Sequence, residues 1–313
     1  MLRRMEARVL YRHLAIVSIL VCALSCTEAP AQSPCVPQDG GVEAGKVTTL
    51  KTVLAGVPAI LRVPAHVTKP PIVLWHGLGP PASEGDLMSA LPLDEVAAVK
   101  VYLGLPLFGD RAPSGGSASV AQRQTEDYAS LIFEPVVFGA AKELPAVLKA
   151  LRARKCLARN AGIGLFGFSA GAAAVLFELA EKDVPVRAAV TVNAPTSLNV
   201  SIGALERATK RPYAWTPHAR ELAERSDAVR RAGEIAAGYQ PPALLIFHGA
   251  DDAVISSQTA VPLLQALQPF YQRSGNDQRL KLVIAPGVAH DWTHPPALEE
   301  LQAAVADWFN RYL

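Results

Sequence analysis

Residues 164–179 read GLFGFSAGAAAVLFEL, an apolar run with one serine, Ser169, and glycine two places before it and two places after. The pentapeptide Gly167-Phe168-Ser169-Ala170-Gly171 is a G-x-S-x-G sequence. GIGLFGF before the serine reads as a strand, and SAGAAAVLFELAE after it reads as a helix. At so sharp a corner the serine backbone is expected to be strained and its hydroxyl exposed. Glycines on either side let strand and helix approach without Cβ clashes. A helix starting there aims its free N–H groups at the site. Chance matches are common in a chain rich in glycine and alanine, and it is the strand before and helix after that set this one apart. A hydroxyl becomes a nucleophile only beside a base, so the chemistry calls for a histidine and a group to orient it.

With this motif the chain resembles the α/β-hydrolase family over residues 47–313. The resemblance implies the order serine, acid, histidine along the chain. RAAVTVN is followed by Ala194, Pro195, Thr196 and Ser197, with no carboxylate. ALLIFHG is followed by Ala250-Asp251-Asp252-Ala253-Val254, and the family pattern H-G-x-x-D-x-V falls on His248, Gly249, Asp252 and Val254. Asp252 is the expected acid. Asp251 is the alternative, one of the two being a turn or cap residue. KLVIAPGVAHDW puts His290 just past the last strand, with His294 in THPP as the weaker candidate.

The resemblance also assigns the oxyanion hole to the backbone N–H groups of Ala170 and Leu78. The loop here is His76-Gly77-Leu78-Gly79, an H-G-x-G rather than the H-G-G-G of hormone-sensitive-lipase-like esterases. PLFGDRAP resembles the G-x-R-bearing loop of the dienelactone-hydrolase-like and prolyl-oligopeptidase-like esterase branch, which makes Arg111 a candidate for a substrate carboxylate, against a structural salt bridge. Tyr213 and Trp215 are candidates for a pocket wall, against plain packing.

These residues need a scaffold, and the pattern around them supplies one. VTTLKTVLAGVPAILRVPA gives two β-like runs around Ala55-Gly56, a hairpin. PIVLWHG, VKVYLGLP, GIGLFGF, RAAVTVN, ALLIFHG and KLVIAPG are short apolar runs of the kind buried in parallel sheets. Helical sequence lies between several of them, from about 119 to 153, after Ser169, in VPLLQALQPFYQRS and in the closing PALEELQAAVADWFNRYL. The expectation is an α/β fold: a mostly parallel sheet flanked by helices, with an N-terminal hairpin. Residues 194–242 break the rhythm. They hold a helix start at Thr216-Pro217 and a charged helix after it, and are read as a small helical cap within a domain spanning 46–313.

The 313 residues are half apolar, and 30 Lys and Arg nearly balance 28 Asp and Glu. That composition suits a packed core and gives nucleic acid no basic face to bind. Arg3, Arg4, Arg8 and Arg12 precede the short apolar stretch 14–24, the pattern of a secretory signal peptide over 1–31, the alternative being an uncleaved N-terminal anchor; a linker follows over 32–45. Ala29-Pro30-Ala31 fits cleavage before Gln32, while Ala23-Leu24-Ser25-Cys26 resembles a bacterial lipobox, which implies a lipid on Cys26 and attachment to a membrane. Cys35 and Cys156 remain after either cleavage. They are a pair for one disulfide outside the cytoplasm, or two unrelated thiols.

The leading expectation is an exported serine hydrolase. Ser169 attacks a small-molecule carboxylic ester, His290 moves the proton, and an acyl-enzyme is hydrolysed without cofactor or metal. The alternatives are a peptidase or amidase with the same three residues, and a non-catalytic exported binding protein on the same fold.

Overall fold

Alternating burial starts at the first strand. The computed structural model describes Cys35 and residues 47–313, apart from Tyr239. The expected signal peptide, Cys26, and the linker other than Cys35 lie outside the described residues. β1 (Thr48–Leu54) alternates partly covered and exposed side chains, as an edge strand should. It turns through Ala55 and Gly56, both at positive φ, into β2 (Val57–Val63), its antiparallel partner.

The apolar runs become β3 (Lys69–Trp75), β4 (Ala98–Leu103), β5 (Ile163–Phe168), β6 (Val186–Val192), β7 (Ala243–Gly249) and β8 (Leu280–Ala285). The eight strands form one sheet in the order β1-β2-β4-β3-β5-β6-β7-β8. β2 pairs antiparallel with β4, and every later pairing is parallel. Period-two alternation then splits the core. Val73 and Trp75 face one apolar layer, while Ile72 and Leu74 face the other.

The first layer is covered by α3 (Gly139–Ala153), α4 (Ala170–Glu181) and α8 (Ala260–Arg273). The second is covered by α1 (Glu84–Ala90) and α9 (Ala297–Tyr312), the latter through Leu301, Val305 and Phe309. The sequence pattern gives no sign of α1. Its seven residues are too few for a visible period, and it starts on Ser83, whose hydroxyl accepts from the Asp86 N–H.

The helix expected from about 119 to 153 is three pieces: α2 (Gly116–Tyr128), a π-helical segment (Ala129–Phe138) and α3. Asp127 leaves helical geometry at the first junction, and its carboxylate accepts from the Ser130 N–H and hydroxyl. Residues 194–242 hold α5 (Leu198–Thr209), α6 (Pro217–Arg225) and α7 (Ala232–Ile235). The single charged helix expected after Thr216 is thus two. Asp227 accepts from the N–H groups of Val229 and Arg230, a local alternative to helix continuation.

Cys35 and Cys156 are joined by a disulfide. Among the described residues no helix is long and apolar enough to cross a membrane.

Candidate active site

The corner at Ser169 is built by exclusion of side chains. A Cβ on Gly167 would stand 2.2 Å from the Gly171 carbonyl oxygen, and one on Gly171 would stand 2.5 Å from that of His76. Only glycine at both places lets α4 start this close to β5 and β3. Between them Ser169 takes φ 51° and ψ −115°, a sparsely populated conformation for a residue with a Cβ. The Ser169 N–H donates to the Val192 carbonyl, which ties the corner to β6.

Two loops bring partners to the hydroxyl. His290, after β8, has Nε2 3.1 Å from Ser169 Oγ and Nδ1 2.8 Å from Asp252 Oδ2. A carboxylate only accepts, so Nδ1 carries the proton and Nε2 is free to accept from the serine hydroxyl. Asp252, after β7, is buried, and its Oδ1 accepts from the N–H groups of Val254 and Ile255 at 2.8 Å each. His248 Nε2–H is shared between the Ile255 carbonyl at 2.8 Å and Asp252 Oδ2 at 3.4 Å. Burial pushes the Asp252 pKa up, but the hydrogen bonds from His248 and His290 outweigh it and hold the carboxyl below its ordinary range.

The other two candidates lie elsewhere in these loops. Asp251 is exposed, with its N–H on the Val288 carbonyl. His294 is exposed and lies 3.8 Å from Asp291.

Leu78 and Ala170 both border the cavity beside Ser169. Neither amide has an acceptor among the described residues. His76 steadies the Leu78 loop. It accepts from the Leu105 N–H at Nε2 and donates from Nδ1 to the Gly77 carbonyl. Burial lowers its pKa to about 4, so the imidazole is neutral there.

The cavity has a volume of about 620 Å³. Its walls come from segments that the sequence does not mark: the π-helical segment, with Ile132, Phe133 and Val136, and α5, with Ala204 and Leu205. Tyr213 and Trp215 are not among its lining residues. The Tyr213 hydroxyl donates to Asp127, its ring meets Trp215 edge-on, and Arg220 lies over Trp215. Both rings pack on each other, and Trp215 borders a separate cavity with Arg220. Arg111 is likewise engaged, donating to Glu143 and to the Gly104 carbonyl, so the salt-bridge alternative is the one this geometry supports.

Asn193 is a residue the sequence reading misses. It is buried at the end of β6, and its side chain bonds to the backbone of both partner loops, at Gly249 and at Ala289 and His290. Among the described residues no three His, Cys, Asp or Glu side chains gather as a metal would require. A hydroxyl donating to an imidazole that a buried carboxylate orients, beside two free amides, is equipped for acyl transfer.

Comparison with known proteins adds family and fold. The model of the prolyl oligopeptidase family matches residues 139–313, more than half of the chain. A Thermus thermophilus protein, TT1662, superposes with a TM-score of 0.63 at 21% identity, over 84% of this chain and 98% of its own. Pyrococcus horikoshii acylaminoacyl peptidase gives 0.57 at 16% identity, over 87% of this chain and 42% of its own. Pyrococcus furiosus esterase Pf2001 gives 0.55 at 15% identity, over 85% and 91%. No curated protein matches the sequence.

Proposed function

The chain belongs to the prolyl oligopeptidase family, and from that premise we propose that it is an exported serine hydrolase cleaving carboxylic esters through an acyl-enzyme on Ser169. One observation carries the reading: Ser169 Oγ lies 3.1 Å from His290 Nε2 while Asp252 holds Nδ1 at 2.8 Å. In the proposed cycle Ser169 gives its proton to His290 Nε2 as Oγ attacks the ester carbonyl. The carbonyl oxygen takes the negative charge against the Leu78 and Ala170 amides. The C–O bond to the alcohol then breaks, and His290 returns the proton to the leaving oxygen. Water, deprotonated by His290, attacks the acyl-enzyme and releases the acid and free Ser169. Asp252 keeps the imidazole in the tautomer this needs.

The family name, and the likeness to a protein titled acylaminoacyl peptidase, favour a second reading, in which the same groups cut an amide. A series of p-nitrophenyl esters run beside an aminoacyl-p-nitroanilide separates the two. Ester turnover abolished in Ser169→Ala supports the proposal. Turnover of the anilide alone replaces it with the second reading. A fluorophosphonate that fails to label Ser169 refutes both and leaves a non-catalytic binding protein.

Export is proposed from the basic, short apolar N-terminus, and an oxidising compartment suits the disulfide. Mass spectrometry of the mature protein is expected to find a new N-terminus near Cys26 or Gln32. A diacylglyceryl group on Cys26 would mean membrane attachment, and intact Met1 on cytoplasmic protein would refute export.

A further inference from the structure

The cavity at Ser169 has two chemically different sides. His290 must protonate the leaving oxygen, so the leaving group lies on the His290 side. That side carries Asp251, Ala253, Val254 and Asp291, all exposed. The acyl group must run the other way, past Ala170. There α4 packs against the π-helical segment, whose Ile132, Phe133, Val136 and Val137 line the cavity and are buried. α5, which packs on the same segment, lines the cavity with Ser201, Ala204, Leu205 and Ala208, spaced as one helical face that runs from buried Ser201 to exposed Ala208. Three of those four are small, and their size leaves the space open. No lysine or arginine lines any part of the cavity.

We propose that the half of the cavity between the π-helical segment and α5 is an acyl site for an uncharged aliphatic chain longer than acetyl, that Ala204, and Ala208 at its exposed end, set the length it accepts, and that the open half beside His290 leaves the alcohol unselected. The proposal rests on the ester-hydrolase reading above. An apolar wall without a cation strengthens binding with each methylene until the space is full, and rejects a carboxylate.

The test is kcat/KM for p-nitrophenyl esters from acetate to decanoate, with the hemiglutarate as the anionic match to pentanoate. The expected profile rises by up to about fourfold per methylene from acetate to an optimum at intermediate length. The hemiglutarate should fall roughly tenfold or more below pentanoate. Ala204→Phe and Ala208→Phe should each move the optimum to shorter chains while fluorophosphonate labelling of Ser169 continues. Acetate as the best ester, or a hemiglutarate equal to pentanoate, overturns the acyl site and leaves the esterase reading standing. An unchanged length profile in both labelled variants also overturns it. Should neither variant label, the wild-type profile decides alone. No ester turnover at all sinks the esterase reading and the acyl site with it.

A different observation supports a positioning role for Asn193. Its Oδ1 accepts from the Gly249 N–H at 2.8 Å, and its Nδ2 donates to the carbonyls of Ala289 and His290 at 3.0 and 3.1 Å. Gly249 opens the loop to Asp252, and Ala289 precedes His290. One buried amide therefore fixes the spacing of two loops whose side chains must meet. We infer that Asn193 is a positioning residue for the Asp252–His290 pair. Its φ of 49° makes Asn193→Gly the clean test, because glycine keeps the left-handed backbone and removes only the side chain. The expected result is a fall in kcat of roughly 10²-fold with KM nearly unchanged. Asn193→Asp sets a carboxylate oxygen against the Ala289 and His290 carbonyls in place of the donors, and kcat should fall at least as far. Wild-type kcat in folded Asn193→Gly, or in folded Asn193→Asp if the first does not fold, overturns the assignment.

Discussion

Asp252 and His290 stand on the loops after β7 and β8, 38 residues apart, and meet with His290 Nδ1 2.8 Å from Asp252 Oδ2. Asp251, one residue away, is exposed at the cavity mouth. Ser169→Ala and His290→Ala should each lower kcat by roughly 10⁴-fold or more, and the double variant should be little worse, because the two act in one sequence of transfers. Asp252→Asn should be less severe by about tenfold or more. Asp251→Asn should keep most activity toward a neutral ester. Steady-state kinetics of the five proteins check this; a damaging Asp251→Asn beside a mild Asp252→Asn would contradict it.

The glycines of the corner allow a sharper comparison. Gly171→Ala puts a Cβ against the backbone oxygens of His76 and Trp75, at 2.5 and 2.6 Å, where no side chain can swing aside. Overpacking of this kind costs about 1–3 kcal/mol. The start of α4 must lift, taking the Ala170 amide with it, so kcat should fall as well. Gly79 also borders the cavity, but a Cβ there meets nothing within 4 Å. Gly79→Ala should stay within about 0.5 kcal/mol of wild type. Urea midpoints and kcat for the pair decide it.

Arg111 provides a test of binding against structure. It donates to Glu143 at 2.9 Å and to the Gly104 carbonyl at 3.0 Å, and is 21% exposed. Arg111→Ala should destabilise the fold by roughly 1–2 kcal/mol, solvent access reducing the value of the ion pair. KM for a neutral and for an anionic ester should change together and little. A KM that rises only for the anionic ester would return Arg111 to substrate binding.

The Cys35–Cys156 bridge closes a loop with a sequence separation of 121. In the chain-entropy account such a closure stabilises by about 5 kcal/mol. Protein beginning at Gln32 should show no free thiol when denatured without reductant, and its thermal midpoint should drop on reduction. Two free thiols, or an unchanged midpoint, would count against the bridge.

The strands and Ser169 are legible in the sequence because each strand is a short apolar run and the corner residue has a glycine on either side. His290 and Asp252 are legible through chain order and a loop pattern, since both follow strand ends. The cavity wall is not. Ile132 and Phe133 sit in an apolar helical run that would look the same buried in a core, and only tertiary packing turns them toward Ser169. The same limit works in reverse for Tyr213 and Trp215, whose aromatic rings suit a pocket yet pack on each other and on Asp127 and Arg220. Asn193 leaves no trace either, because its partners are backbone groups 56 to 97 residues away.

Glu178, inside α4, should make stability depend on pH. It is fully buried; Oε1 accepts from the Val184 N–H, and Oε2 has no partner among the described residues. Burial raises its pKa to about 8, with Asp183 and Glu181 pushing the same way and the Val184 N–H opposing them. In the unfolded chain the same carboxyl titrates near 4.5. The folded chain therefore keeps a proton that the unfolded chain has lost, so stability present below about pH 4.5 is lost as pH rises toward 8. The slope is at most roughly 1.4 kcal/mol per pH unit. His76 acts with the opposite sign, because burial lowers its pKa to about 4 and its contribution is lost as pH falls. Wild type alone mixes the two, and Glu178→Gln separates them. Gln keeps the acceptor for Val184 and cannot ionise. The two proteins should have similar urea midpoints at pH 5, where the acid is protonated, and Glu178→Gln should be the more stable by a few kcal/mol, about 2–4, at pH 8.5. Curves that run parallel from pH 5 to 8.5 would show that Glu178 ionises in the fold as easily as in the unfolded chain.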